Sequence, residues 1–451
     1  MALRSALLTS IAASWGSRLE RLRASPTGYR LAHGAAWTLV GTVISRGLGL
    51  VASIVVARLL GRHGFGELGV LQSTVGLFGL FAGLGVGITA TRHVAAYRRA
   101  DPGRAGRIIA LSFAFAGCAS AIVSVVLVFA SPWIAASLLA APGLAEELRI
   151  ASLLVLLGIV NGAQTGALAG FEAFRKIAWV NLVSGLLNFP LLTIGTYAWG
   201  LPGAVWGLAA GLFATAALSA AALRREMRHA RVTYGFSGCL AERAVLWRFS
   251  LPAFFSGAMV SPVYWACSAL LVNLPGGYEQ MGIFSAANQW FGAIPMVPGF
   301  LGQASLPVLS ESAATGSPQR YLRVFLATIK LNALVVTPVG LALALLSPWI
   351  MASYGPGFAA DWPTLVCCCL AAMVAGILWP IGQVVAASSR MWTGFGMNAL
   401  WGVAFLLGAW LYRYQGAVGI AAARLVAYVL QAGIGAWFVR REIFRGTGPA
   451  P

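Results

Sequence analysis

Apolar runs long enough to cross a bilayer recur from one end of this sequence to the other, and no other feature restricts its fold as severely. A helix needs about 20 apolar residues to cover the hydrocarbon core at 1.5 Å per residue. In that solvent every backbone amide must also find its partner inside the protein. Twelve runs meet the length: residues 35–59, 68–90, 108–131, 149–170, 178–199, 202–223, 249–273, 280–305, 325–347, 362–386, 391–412 and 416–439. The chain is therefore read as an all-α polytopic membrane protein. Its balance of 59% hydrophobic to 10% charged residues is what such a protein needs and a soluble domain lacks.

A formal charge of +19 would point a soluble chain towards nucleic acid, so the positions of the 31 basic residues decide how it is read. Twenty-four of them fall in the N-terminal tail, the even-numbered connections and the C-terminal tail. Arg92 to Arg107 fill the second connection and Arg224 to Arg248 the sixth, whereas the opposite side holds only Arg58, Arg62 and Arg413. This is the positive-inside pattern. It places both termini in the cytoplasm, explains the charge by topology and leaves no nucleic-acid role. In the tail, Leu8, Ile11, Trp15, Leu19 and Leu22 recur at helical spacing opposite Arg18 and Arg21, predicting an interfacial helix over part of residues 1–33 rather than a signal peptide. The six cysteines have neither CxxC spacing nor nearby histidines, so they read as packing residues and no metal or cofactor is expected.

Two short matches recur at one separation. Gly64-Phe65-Gly66-Glu67-Leu68-Gly69-Val70 and Gly277-Tyr278-Glu279-Gln280-Met281-Gly282-Ile283 both read G-[FY]-x-x-[LM]-G-[VI]; Gly203-Ala204-Val205 is repeated as Gly416-Ala417-Val418. Both pairs are 213 residues apart, close to half the chain of 451. Six spans per half keep the halves in the same orientation, so the repeat is parallel. The expected organisation is a cytoplasmic tail (1–33), a six-helix lobe (34–223), a basic linker (224–248), a second six-helix lobe (249–440) and a cytoplasmic tail (441–451).

Polar side chains inside the spans fall on stripes that should face protein or water. Thr42, Arg46, Gly49 and Ser53 share one; Asn161, Gln164 and Thr165 another; Asn181, Ser184 and Asn188 a third. The eighth span carries Ser285, Asn288, Gln289, Gly292, Pro295, Gly299 and Gln303, with Pro295 and Pro298 expected to kink it. Small and hydrogen-bonding residues also pack helices together, and that explanation stands beside a cavity lining for these stripes. Arg46 is different. It is the twelfth residue of a 25-residue span, near the bilayer centre. A charge there costs roughly 2.5 to 3.5 kcal/mol on insertion scales. A buried ion pair would offset that, yet all twelve acids lie near span ends or in loops. The remaining reading is a guanidinium lining a wet cavity that takes an anionic ligand. Arg424 and Lys330 sit closer to their span ends and Arg58 at one; they join Asn161, Gln164, Asn288 and Gln289 as further candidate binding residues.

The stretch ISRGLGLVASIVVARLLGRHGFGELGVLQS resembles the opening of bacterial polysaccharide flippases of the multidrug/oligosaccharidyl-lipid/polysaccharide exporter superfamily. MGIFSAANQWFGAIPMVPGFLGQASLPVLSE is similar to their eighth-helix region, ending at Leu306-Pro307. Ser45 to Gly49 and Val56 to Gly61 also resemble the first helix of peptidoglycan-precursor flippases. The resemblance implies about twelve transmembrane helices in two six-helix lobes around a central cavity, the architecture shared with the multidrug exporters. It implies an isoprenoid-pyrophosphate-linked glycan as substrate, flipped from the cytoplasmic to the periplasmic leaflet of the bacterial inner membrane. Arg46 matches a position where family cations face the cavity and inherits the role of holding pyrophosphate. Membrane lipids and a polysaccharide polymerase or other assembly partner are the implied company of a monomer.

The alternatives fare worse. A multidrug exporter for organic cations should present acids or aromatics where this chain presents Arg46. A membrane glycosyltransferase or polymerase needs acids or histidines in a substantial external loop; the longest here, 132–148 and 348–361, hold no His, Lys or Arg, and His33, His63, His93 and His229 form no constellation. No mid-membrane carboxylate of the kind that couples transport to protons or sodium is visible; Glu67 and Glu311 are the nearest, at span ends.

Overall fold

The structure is a computed structural model that describes residues 26–83, 85–236, 238–242, 259–296, 298–299, 318–387 and 391–444. The interfacial helix expected in the tail, together with Gln303, Glu311 and Leu306-Pro307, lies outside the described residues. Among those described, the regular structure is helical throughout.

The first helix, α1 (Pro26–Gly83), is two helices joined at Gly61, whose φ of 68° and ψ of −175° suit only a residue without a Cβ. After α2 (Val86–Tyr97), α3 (Pro102–Trp133) opens on an Asp101 cap that accepts from the Arg104 amide at 2.8 Å, with Pro102 at the first helical position. α4 (Ala145–Gly170) starts with Glu146 and Glu147 in its first turn, where the helix dipole favours negative charge. α5 (Phe174–His229) breaks at Gly200 (φ 61°, ψ −135°) just before Pro202. Its halves double back on one another, with Gly203 against Gly195, Gly207 against Leu191 and Gly211 against Asn188. Small residues at each crossing let the backbones approach.

The second part of the chain contains α6 (Val260–Val272), α7 (Gly277–Ala293), α8 (Pro318–Leu345), α9 (Ser347–Ser353), α10 (Trp362–Ile377), α11 (Trp379–Ala387), α12 (Met391–Leu411) and α13 (Gly416–Phe444). α7 stops two residues before Pro295, the break its sequence calls for. α13 begins at Gly416 with φ 64° and ψ −138°, nearly the conformation of Gly200 before the second half of α5. Seven helices among the described residues are long and apolar enough to cross a membrane, including the double helices Gly41–Gly83 and Phe174–His229.

Two features mark the ends of the bundle. Exposed aromatics gather at helix ends: Trp133, Trp199, Trp349 and Tyr414 on one set, Trp179, Trp392 and Trp437 on the other. That is the distribution of interfacial aromatic belts. The ion pairs of the described residues also sit at helix ends and connections. Arg98–Glu172, Lys176–Glu226 and Arg104–Glu242, at 2.6, 2.7 and 3.0 Å, brace the connections on one side, while Arg62–Asp361 at 2.5 Å joins two turns on the other. Between them runs one large apolar core shared by both parts of the chain, with Val56, Leu71, Leu148, Ile283, Leu365 and Phe405 all buried.

Candidate functional site

The stripe of α1 faces the stripe of α5 across a small-residue contact. A Cβ on Gly185 would stand 2.8 Å from Ser45, and one on Gly41 would reach the Ala178 backbone; Asn181 donates to Thr42 at 3.4 Å. Where the helices diverge, a cavity of about 610 Å³ opens. Thr42, Arg46, Asn181, Asn188, Gln72 and Gln289 give it polar groups, and Leu154, Phe189 and Leu208 form apolar wall. A second cavity of about 250 Å³, between the second half of α1, α6 and α7, shares Gln72 and Gln289 with the first. The two volumes are neighbours across those two glutamines. Among the described residues, no carboxylate lines either of them.

Arg46 is exposed to the larger cavity and, among the described residues, has no hydrogen bond or ion pair. Its Nη2 lies 2.6 Å from the point a Cβ on Gly292 would occupy, so the guanidinium rests on α7 through the space that glycine leaves. The central cation of α1 is thus held at the junction of the two parts of the chain with its donors free. An anion is the ligand that five unengaged N–H donors suit best.

The other sequence candidates divide. Gln289 lines both cavities and Asn288 the smaller. Arg424 lines neither: it is fully buried in α13 behind the smaller cavity. Its Nη1 donates to the Tyr264 hydroxyl at 2.6 Å and to Asn288 Oδ1 at 2.7 Å, and its guanidinium carbon stands 3.8 Å from the centre of the Phe291 ring. Nε and Nη2 have no nitrogen or oxygen partner, and Cys368 faces the group. Three aromatic faces, Phe291, Tyr264 and Phe284, take the place of a counter-ion. Lys330 is exposed on α8, away from both cavities, and Arg58 donates from Nε to the Ser353 carbonyl at 2.6 Å. Asn161 accepts from Ser219 at 2.9 Å and Gln164 is buried beside it, so this stripe lies within the packing of α4 and α5 and lines neither of these two cavities.

Several site residues escaped sequence reasoning. Gln72 is one, although its spacing from Gly69 and Gly76 on α1 was a visible signal. Tyr264, with Ser261 and Ser268 one turn to either side on the apolar α6, is another. A third group closes the end of the larger cavity nearest Gly61. There Ser53 bonds Tyr354 at 3.2 Å, Trp290 donates to the same hydroxyl at 3.1 Å, and Arg62 pairs with Asp361. Tyr278 also donates to the Leu139 carbonyl at 2.7 Å and Asn273 to that of Leu138 at 2.7 Å. Each of these except the Trp290 bond crosses between the first and second parts of the chain. Beside them the two copies of the glycine motif lie face to face: Gly66 meets the Tyr278 and Gly282 backbone, and Gly69 meets Ser285.

Comparison with known proteins places this geometry. A family model described as polysaccharide biosynthesis protein matches residues 31–313. The EPS I polysaccharide export inner membrane protein EpsE of Ralstonia nicotianae is 27% identical over 385 residues, covering 83% of this chain and 85% of that one. Among solved structures, the inward-facing conformation of a multidrug resistance MATE transporter of the MOP superfamily aligns with a TM-score of 0.69 at 17% identity, over 90% of this chain and 98% of that one. The lipid II flippase MurJ in an inward closed conformation aligns with a TM-score of 0.69 at 13% identity, over 89% of this chain and 87% of that one. The fold is that of these transporters.

Proposed function

This chain belongs to the polysaccharide biosynthesis protein family, and on that premise we propose that it is a flippase for isoprenoid-pyrophosphate-linked oligosaccharide. It carries the lipid from the cytoplasmic to the periplasmic leaflet of a bacterial inner membrane by alternating access. In this reading α1 and α5 each cross twice, turning at Gly61 and Gly200, and the chain makes twelve crossings in two six-helix halves with both termini cytoplasmic. One observation carries the proposal: Arg46, at mid-span, lines a cavity of about 610 Å³ with its donors free and, among the described residues, no carboxylate beside it. A pyrophosphate can be gripped bidentately there, offsetting part of its desolvation, while the isoprenoid stays in lipid. The name of the Ralstonia relative and the likeness to a lipid II flippase support the same class of cargo.

The bonds around Gly61 form the closed periplasmic gate in this account, since they join the first and second parts of the chain at one end of the larger cavity. Arg62 and Asp361 are only about a quarter exposed, so their pairing matters more than that of an ordinary surface pair. Arg62→Asp or Asp361→Arg alone should slow transport several-fold by setting like charges against each other. The combined swap should restore most of it, and failure of the swap to rescue would remove the gate role. A second prediction concerns the seat of Arg46. Gly292→Ala brings a methyl against the guanidinium, which is the free end of a flexible chain and can move. Folding should be unaffected, while a displacement of about 1 Å lowers transport roughly tenfold. Unchanged transport would show that the seat is not used.

The reading itself is tested in proteoliposomes, by the leaflet exposure of a fluorescent isoprenyl-pyrophosphate oligosaccharide. Protein-dependent appearance in the opposite leaflet is the expected result. No transfer by well-folded protein, with several glycan lengths, would overturn it.

A further inference from the structure

Resting on the flippase reading, we propose that the smaller cavity is a sugar subsite and that Arg424 is its positioning residue, acting through Asn288. The cavity of about 250 Å³ is lined by neutral hydrogen-bonding groups, among them Gln72, Ser73, Ser261, Asn288 and Gln289, with no charged side chain among the described residues. Such a wall gives a phosphate no counter-charge and an organic cation no acid. It does match a polyhydroxylated ring, whose hydroxyls each donate and accept as amides and serines do. Phe284 and Tyr264 add aromatic wall, on which the weakly positive C–H face of a sugar can lie.

The position of the cavity fits the covalent order of the substrate. It adjoins the Arg46 cavity at Gln72 and Gln289, so a sugar bonded to the pyrophosphate held by Arg46 would enter it directly. Arg424 then acquires a purpose that its burial alone does not supply. A guanidinium has only donors, so Asn288 must turn its oxygen towards Arg424, as the 2.7 Å bond records. The amide N–H groups of Asn288 are thereby left for the cavity. Replacing the fully buried cation with an apolar residue would free the amide to flip and present its acceptor instead.

The test compares binding of two probes to the full-length protein in lipid nanodiscs: a bare polyprenyl pyrophosphate, and the same lipid carrying one glucose or one galactose. The wild type should bind a glycosylated probe more tightly than the bare one. Asn288→Asp keeps a partner for Arg424 and so keeps the fold, but removes both N–H donors. It should cut affinity for the glycosylated probe roughly tenfold and leave the bare lipid unchanged. Arg424→Met, which offers Asn288 no donor, should cause the same selective loss. Equal binding of bare and glycosylated probes by the wild type, or equal losses for both probes in Asn288→Asp, would overturn the subsite while leaving the flippase reading standing. Failure of the wild type to bind either probe would overturn both.

Discussion

Arg46→Gln is expected to abolish transport of the lipid-linked glycan while leaving the protein at least as stable as the wild type. The two effects have opposite signs for one reason. Arg46 has no carboxylate partner among the described residues, so its charge costs the folded protein about 2.5 to 3.5 kcal/mol on insertion scales, with water in the cavity relieving part. Glutamine removes that cost. It also removes the only cation that lines either cavity among the described residues, and with it two charge-assisted hydrogen bonds to phosphate oxygens. Their loss is about 3 kcal/mol, or roughly a hundredfold in the rate at limiting substrate. Arg46→Lys keeps the charge but loses the planar fork, and should fall between the two. Leaflet transfer and thermal unfolding, measured on the same preparations, check both halves. A structural arginine would lose stability and transport together.

Gly66→Val should have the largest effect on folding. A Cβ on Gly66 would overlap the Tyr278 carbonyl oxygen and reach the Gly282 amide nitrogen at 2.9 Å. Both obstacles are backbone, so no rotamer change relieves them, and α7 must move bodily away from α1. The same contact includes Gly282 against the Arg62 carbonyl and Gly69 against Ser285, so displacement at one glycine loosens the others. Overpacking in a close-packed interior costs about 1 to 3 kcal/mol, and the upper end applies here. The thermal midpoint should fall, and transport should fall further because the gate near Gly61 can no longer close. Gly79→Val serves as the comparison. It lies on the same helix, a Cβ there meets nothing within 4 Å, and it should be tolerated.

Much of this architecture was legible in the sequence because a membrane interior permits so few solutions. Run length, the positions of the arginines and the isolation of Arg46 from every acid are one-dimensional facts, and they were enough to identify a helical membrane protein with a cation at mid-span. The repeated glycine heptapeptide was legible as a repeat, but not as a contact: that Gly66 and Gly282 meet depends on helices about two hundred residues apart. The continuous helices across Gly61 and Gly200 blur what the sequence divides into separate spans, since one left-handed glycine redirects the chain without a loop. Arg424 shows the limit most clearly. A cation in an apolar helix gives the same sequence signal whether it faces a cavity or a neighbouring helix. Its aromatic surroundings come from α6 and α7, far away in the chain. Lys330 gives that signal too, yet it is exposed on α8, outside both cavities.

The central claim is that the Arg46 guanidinium holds the phosphate of a lipid-linked substrate in the middle of the membrane. The most direct test is equilibrium binding of polyprenyl pyrophosphate, polyprenyl phosphate and polyprenol to wild-type and Arg46→Gln protein in lipid nanodiscs. The wild type should prefer pyrophosphate to alcohol by roughly a hundredfold, with the monophosphate between them, and Arg46→Gln should erase the preference without weakening the alcohol. The same ranking and spread in the glutamine variant would place the phosphate elsewhere and contradict the account.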